Sequence, residues 1–172
     1  TIRSLEEKQR LLVEENQHLE NLANTDPLTG LYNRAGLLLR LEMLEQRENL
    51  AGAGLMILDL DHFKQLNDRY GHDMGDKVLR AFASLLAVNL RTEDIFARLG
   101  GEEFVVVCRR QPVEGVHSLA EKLRHLASQC TFTSQHTLHN GGDDLTVTVS
   151  IGLVIIQAGE ELPDALKRAD GA

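Results

Sequence analysis

The sequence predicts an α+β domain, a mostly antiparallel central sheet flanked by helices, preceded by a helical stalk. Three observations point there. Residues 55–61, Leu-Met-Ile-Leu-Asp-Leu-Asp, are an apolar run ending in two acids, as expected of a buried central strand. Gly100-Gly101 lies between two apolar runs, a hairpin signal because tight turns need positive φ, which glycine adopts without a Cβ clash. Residues 76–91 and 115–129 carry apolar side chains at helical spacing. Hairpins interspersed with such helices pack as a sheet with helices against it.

The stalk comes first. Over residues 1–23, Ile2, Leu5, Gln9, Leu12, Asn16, Leu19 and Ala23 recur at alternating spacings of three and four, the seam of a coiled coil. Polar Gln9 and Asn16 weaken that seam while favouring a two-stranded register. The same pattern also fits one amphipathic helix lying against its own domain. Starting on such a stalk, the chain is expected to be part of a longer protein, with the globular domain spanning 24–172. Asn24-Thr25-Asp26-Pro27 breaks the helix, since Pro27 holds Asp26 extended, and Thr25 or Asp26 can cap the segment after it. A helix is predicted over 37–48, a strand over 55–60, a loop to residue 75 and a helix over 76–91. A hairpin spans about 95–108, and the next helix covers 115–129. Residues 131–144 are polar, with Gly141-Gly142-Asp143-Asp144 marking a turn. A strand over 145–156 and a helix from about Pro163 complete the domain.

The 172 residues suit one domain plus an appendage, and 42% hydrophobic content with no Trp implies an aliphatic core. A net charge of −8 argues against a surface for duplex nucleic acid, though not against a nucleotide whose phosphates a metal neutralises. Cys108 and Cys130 have neither metal-ligand nor redox spacing, which fits buried thiols in a reducing cytoplasm. No apolar run approaches the roughly 20 residues that span a bilayer. A cytoplasmic location is expected, either as a free protein or as the cytoplasmic portion of a membrane-attached sensor.

Two pairs of acids carry the chemistry. Glu102 and Glu103 come directly after the Gly-Gly pair, so they crown a rigid ribbon where a divalent ion could meet a phosphorylated substrate. A solvated turn with ordinary surface acids fits the same residues. Asp59 and Asp61 leave the apolar strand, where a cation would offset the cost of burying them. They are expected to diverge, which leaves Asp59 to face the cleft of Glu102. Read structurally, both merely cap the strand.

The segment Asp59-Leu60-Asp61-His62-Phe63-Lys64-Gln65-Leu66-Asn67-Asp68 is succeeded by Gly71-His72-Asp73-Met74-Gly75-Asp76 and by Gly100-Gly101-Glu102-Glu103-Phe104. Upstream stands Asp26-Pro27-Leu28-Thr29-Gly30-Leu31-Tyr32-Asn33-Arg34, and downstream Val147-Thr148-Val149-Ser150-Ile151-Gly152. In this order the five motifs resemble the GGDEF diguanylate cyclases over about residues 24–170. The resemblance implies a sheet like the palm of nucleotide cyclases and polymerases, and an enzyme that condenses two GTP into cyclic di-GMP with release of two pyrophosphates. It implies a homodimer joined through the N-terminal helix, with one GTP on each protomer. Asp59, Glu102 and the Leu60 carbonyl would hold Mg²⁺, with Mn²⁺ as an alternative, and Glu103 would position or deprotonate the attacking hydroxyl. Asn67 and Asp76 would read guanine, while Phe63 backbone and Lys64 would meet phosphate. Without the family, Asn67 and Asp76 read as caps and Lys64 as a solvated lysine. His62 and His72 read as local packing or hydrogen-bonding groups. Arg91 and Asp94 match the family's inhibitory product site, and on their own read as an end-of-helix salt bridge. A second arginine of that site falls on Lys122, with Arg124 nearby. The chain stops before the lysine and arginine with which family members contact terminal phosphates, so weaker GTP binding is expected of it alone. The competing readings are a non-catalytic receptor for cyclic di-GMP or GTP and a dimerising segment.

Overall fold

The computed structural model describes residues 1–133 and 144–171. Its sheet is built of β1 (Gly54–Leu60), β2 (Ile95–Gly100), β3 (Glu103–Cys108) and β6 (Val149–Ile155), in the order β2-β3-β1-β6 with every pairing antiparallel. The helices are α1 (Ile2–Asn24), α2 (Arg34–Arg47), α3 (Phe63–Tyr70), α4 (His72–Ala87), α5 (Val113–Ser128) and α6 (Leu162–Asp170). A second, two-stranded sheet pairs β4 (Thr131–Thr133) with β5 (Asp144–Thr146). The mixed fold with an antiparallel sheet is the one the sequence predicts.

Strand β1 is apolar through most of its length because both of its faces are covered. Met56, Leu58 and Leu60 pack with Phe104 and Val106 beneath α3, α4 and α5, whereas Leu55 and Ile57 pack with Val105 and Val107 beneath α2 and α6. Burying each such side chain stabilises by roughly 1.5–3 kcal/mol. Phe104 is fully buried, with the rings of Phe82 and Phe96 at 4.9 and 5.8 Å. The residue beside Glu103 is therefore fixed in the core.

Several boundaries differ from expectation. The predicted loop before residue 76 contains α3, a short helix that Phe63, Leu66 and Tyr70 anchor at spacings of three and four. Gly71, at φ +89°, separates α3 from α4, which starts at His72 and ends at Ala87 instead of spanning 76–91. Helix α2 begins earlier than predicted because Asn33 caps it, accepting from the Gly36 amide at 2.9 Å. The single strand predicted over 145–156 is broken at Val147-Thr148, and its first part pairs with β4, a strand the sequence does not signal. The expected turn at Gly141-Gly142-Asp143 lies outside the described residues.

Helix α1 does not lie against the domain: it has no buried residue, and Ile2, Leu5, Leu12 and Leu19 are 55–76% exposed. Its end is gripped instead. Asn33 donates from Nδ2 to the Ala23 carbonyl at 2.8 Å and from its amide to the Asn24 carbonyl at 3.0 Å. A Cβ on Gly36 would clash with the Asn24 carbonyl oxygen at 2.1 Å, so only glycine permits this approach. No described helix is long and apolar enough to cross a membrane.

Helix α6 is held over the sheet by Arg168, which donates to Glu160 at 2.7 and 2.9 Å and to the Ile155 carbonyl at 2.8 Å. The Arg168 hydrogen bond, aided by one from the Gln157 amide, lowers the Glu160 pKa to about 2 from an ordinary 4.5. A carboxyl depressed in the folded state contributes stability that is complete above its unfolded pKa and lost as pH falls toward the folded one. Wild-type protein should therefore lose stability between pH 4.5 and about 2 more steeply than Arg168→Gln, measured by urea unfolding at a series of pH values.

Candidate active site

The β1–β3 register decides where the acids go. Asp59 lies directly opposite Glu103, and the Leu60 amide donates to the Glu102 carbonyl at 3.3 Å. By strand alternation Asp59 follows Leu55 and Ile57, and Glu103 precedes Val105 and Val107, so both acids project from the face covered by α2 and α6. The end of α6 brings Asp170 close enough to act on both.

The turn sits one residue later than predicted. Gly100 pairs with Glu103, leaving Gly101 and Glu102 as the turn residues, and Glu103 is the first residue of β3. Gly101 takes the left-handed φ of +51°, a conformation that favours glycine. A register shift between Arg98 and Gly100 re-aims the tip.

Arg98 fastens that tip. Its Nε and Nη2 donate to the Gly101 carbonyl at 2.9 and 2.8 Å, and Nη1 donates to both Asp26 oxygens at 3.1 Å. Asp26 also accepts from the Thr29 amide at 2.9 Å and hydroxyl at 2.6 Å. Burial pushes the Asp26 carboxyl up, but hydrogen bonds from Thr29 and Arg98 outweigh it and hold the pKa below the ordinary value. Sequence reasoning offers Asp26 only as a cap and gives Arg98 no role. Two opposite charges, each inside a glycine-containing turn motif, were the available signal.

Negative charge accumulates at the strand end. Burial raises the Asp59 pKa, and Glu102, Asp61 and Asp170 raise it further. Burial likewise raises Glu103, reinforced by Asp170 and Asp59, with Arg34 opposing and Glu102 adding. Asp170 and Arg34 are neighbours of the site that sequence reasoning missed. Among the described residues no three acidic, His or Cys side chains are already gathered into a metal-holding group. The strand end instead carries a set of mutually repelling hard oxygen donors, which is the donor chemistry that a Mg²⁺-type cation fits.

Asp61, in the turn just after β1, does not diverge from Asp59: it accepts from Ser150, the residue paired opposite Asp59, whose side chain shares the Asp59 face. It is distinguished by its partners: Thr148 and Ser150 donate hydroxyls to it at 2.7 and 2.6 Å, and its amide donates to the Thr148 carbonyl at 2.9 Å. Asp59 has no such hydroxyl partner among the described residues.

The other candidates are spread more widely. The Phe63 side chain is core, while its backbone opens α3, whose first-turn amides lack helical acceptors. His62 precedes it in a left-handed conformation, φ 58°, and Lys64 is exposed. Asn67 on α3 meets Gly75 of the neighbouring helix α4, and Asp76, the next residue of α4, lines a groove of about 580 Å³ with Tyr70, His72, Lys77 and Arg80. Arg91 and Asp94 lie before β2, at the opposite end of that strand from the tip. Six residues of strand separate the two by roughly 17 Å. In place of the expected salt bridge, Asp94 accepts from the Arg91 backbone amide at 2.8 Å. Both line a groove of about 460 Å³ with Asn21 and Thr25 from the end of α1. Lys122 is exposed, and Arg124 is paired with Glu121 at 2.9 Å.

Residues 23–172 match the family described as diguanylate cyclase, GGDEF domain. The chain belongs to the GGDEF family. It is 42% identical over 156 residues to the response regulator PleD of Caulobacter vibrioides, covering 89% of this chain and 34% of PleD. It is 42% identical over 160 residues to the diguanylate cyclase DgcP of Pseudomonas aeruginosa, covering 90% of this chain and 23% of DgcP. This GGDEF chain thus spans about a third or less of those relatives. Its structure resembles the coiled coil and GGDEF domain of DgcB from Caulobacter crescentus in complex with c-di-GMP, with TM-score 0.85 and 29% identity over 99% of this chain and 89% of that one. The similarity to DgcB therefore includes α1.

Replacing Arg98 by Gln should destabilise the GGDEF domain by about 1.5–3 kcal/mol, since charged hydrogen bonds to Asp26 are lost. A double-mutant cycle with Asp26→Asn in urea unfolding is expected to show coupling, and additive effects would contradict the clamp.

Proposed function

We propose that this chain is a diguanylate cyclase that joins two GTP into cyclic di-GMP and releases two pyrophosphates. The observation that carries the reading is the register pairing of Asp59 with Glu103 beside the turn acid Glu102, an excess of negative charge that Arg34 opposes only in part. Asp59, Glu102 and the Leu60 carbonyl would hold Mg²⁺, with Mn²⁺ as an alternative. When bound, the ion neutralises triphosphate charge and lowers the pKa of the attacking 3′-hydroxyl.

The remaining work belongs to the chain. Glu103, its pKa raised by burial and by Asp170 and Asp59, is a better proton acceptor than an ordinary carboxylate and takes the 3′-hydroxyl proton. The first-turn amides of α3 at Phe63 and the Lys64 ammonium meet phosphate oxygens, and helix N-termini favour such anions. Asp76 accepts from guanine N1–H and N2–H, and the Asn67 amide serves an acceptor on the base. Adenine would leave those groups unpaired.

One protomer holds one GTP, so two bonds form only when two protomers face each other. Helix α1 supplies the means, with its exposed Ile2, Leu5, Leu12 and Leu19 available to a second copy and Asn16 favouring a two-stranded register. Product binding at Arg91 and Asp94 would inhibit from a groove that also contains the end of α1. The intact acids at the tip favour an enzyme over a receptor.

Full-length protein incubated with GTP and Mg²⁺ should yield cyclic di-GMP by mass spectrometry. Glu103→Gln should cut turnover by about 10²–10⁴-fold while circular dichroism stays native. Turnover unchanged in Glu102→Gln and Glu103→Gln would overturn the reading.

A further inference from the structure

Asn67 presents an unusual feature: its Oδ1 is buried and accepts no hydrogen bond among the described residues. Buried polar atoms are nearly always paired, and exceptions call for an explanation. The oxygen rests against Gly75, in the first turn of α4. A Cβ there would stand 1.9 Å from Asn67 Oδ1, 3.0 Å from its Cγ and 3.2 Å from Phe63 Cζ.

Backbone geometry does not call for glycine at this position. Gly75 is helical, without the positive φ of Gly71, and glycine within a helix is unfavourable relative to alanine. Space does call for it, because any side chain would displace the Asn67 carbonyl. Two unfavourable features, a helical glycine and an unpaired oxygen, thus meet at one contact. Their joint effect is to fix the direction of the amide. With Oδ1 sunk into α4, the other end of the group, Nδ2, has no hydrogen-bond partner among the described residues and is not among the buried unpartnered atoms. It therefore reaches the surface as a pair of donors. The next residue after Gly75 is Asp76, whose carboxylate borders the adjoining groove as an acceptor.

We propose that Gly75 is a positioning residue for base recognition: lacking a Cβ, it seats the Asn67 carbonyl against α4 and leaves Nδ2 outward on α3, the helix packed against the one that carries Asp76. The pair offers donors on α3 and acceptors on α4. That matches a guanine edge, with N1–H and N2–H facing Asp76 and a ring or carbonyl acceptor facing Asn67. The inference rests on the reading of Asn67 as a base contact. A side chain at residue 75 would turn the amide away, leaving phosphate contacts and the acids of the tip in place.

The test is equilibrium binding of a non-hydrolysable GTP analogue and of its ATP counterpart to the full chain, with steady-state kinetics on GTP beside it. Gly75→Ala should weaken the GTP analogue by at least about tenfold, with little change for the ATP analogue, so that discrimination falls. KM for GTP should rise while kcat at saturation stays within about twofold. Because Gly75 acts through Asn67, the double variant Gly75→Ala/Asn67→Ala should bind no more weakly than Asn67→Ala alone. If crowding prevents Gly75→Ala from folding, the double variant, from which the clashing amide is gone, should fold and bind as Asn67→Ala does. Weak binding by Asn67→Ala with wild-type binding by Gly75→Ala overturns the proposal alone. Wild-type binding by Asn67→Ala overturns the base-reading role and the proposal with it.

Discussion

The antiparallel pairing of β1 with β3 is the constraint on which this domain depends. It sets Asp59 against Glu103 and links Leu60 to the Glu102 carbonyl. Core packing makes that register hard to change. A slip of one residue would move Leu55, Ile57, Val105 and Val107 out from beneath α2 and α6 and put their neighbours on the wrong face. The acids are held together against their mutual repulsion by the aliphatic strand behind them. That is why an excess of charge can persist at the end of a strand whose other residues are buried.

Around this register, two devices fix the edges of the site. Arg98 ties the tip to Asp26, two residues beyond the end of α1, and Asp26 in turn accepts from Thr29. Arg168 ties α6 to the loop before it and to β6, and α6 ends at Asp170 beside the acids. The groove containing Arg91 and Asp94 also touches the end of α1.

Strand β1, the hairpin and helices α4 and α5 are legible in the sequence because their apolar periodicity runs over enough residues to be unambiguous. Helix α3 is not, since eight residues followed closely by Gly71 and Gly75 read as loop chemistry. The break at Val147-Thr148 is hidden because both parts of the predicted strand alternate alike. The motif acids can be named from sequence, but the turn falls on Gly101-Glu102, because a register shift before it moves the pairing. Arg98 and Asp26 stand 72 residues apart and have no periodic relation, so only the fold brings them together. The buried Oδ1 of Asn67 has no sequence signature, being a consequence of how α3 meets α4.

The central claim is that Asp59 and Glu102 share one divalent ion. It is tested most directly by titrating Mn²⁺ into the full chain with a non-hydrolysable GTP analogue, following free ion by electron paramagnetic resonance. Asp59→Asn and Glu102→Gln are each expected to weaken Mn²⁺ binding by at least about tenfold, since even a partner that only orients a ligand is worth that much. Equal Mn²⁺ affinity in wild type and both variants would contradict it.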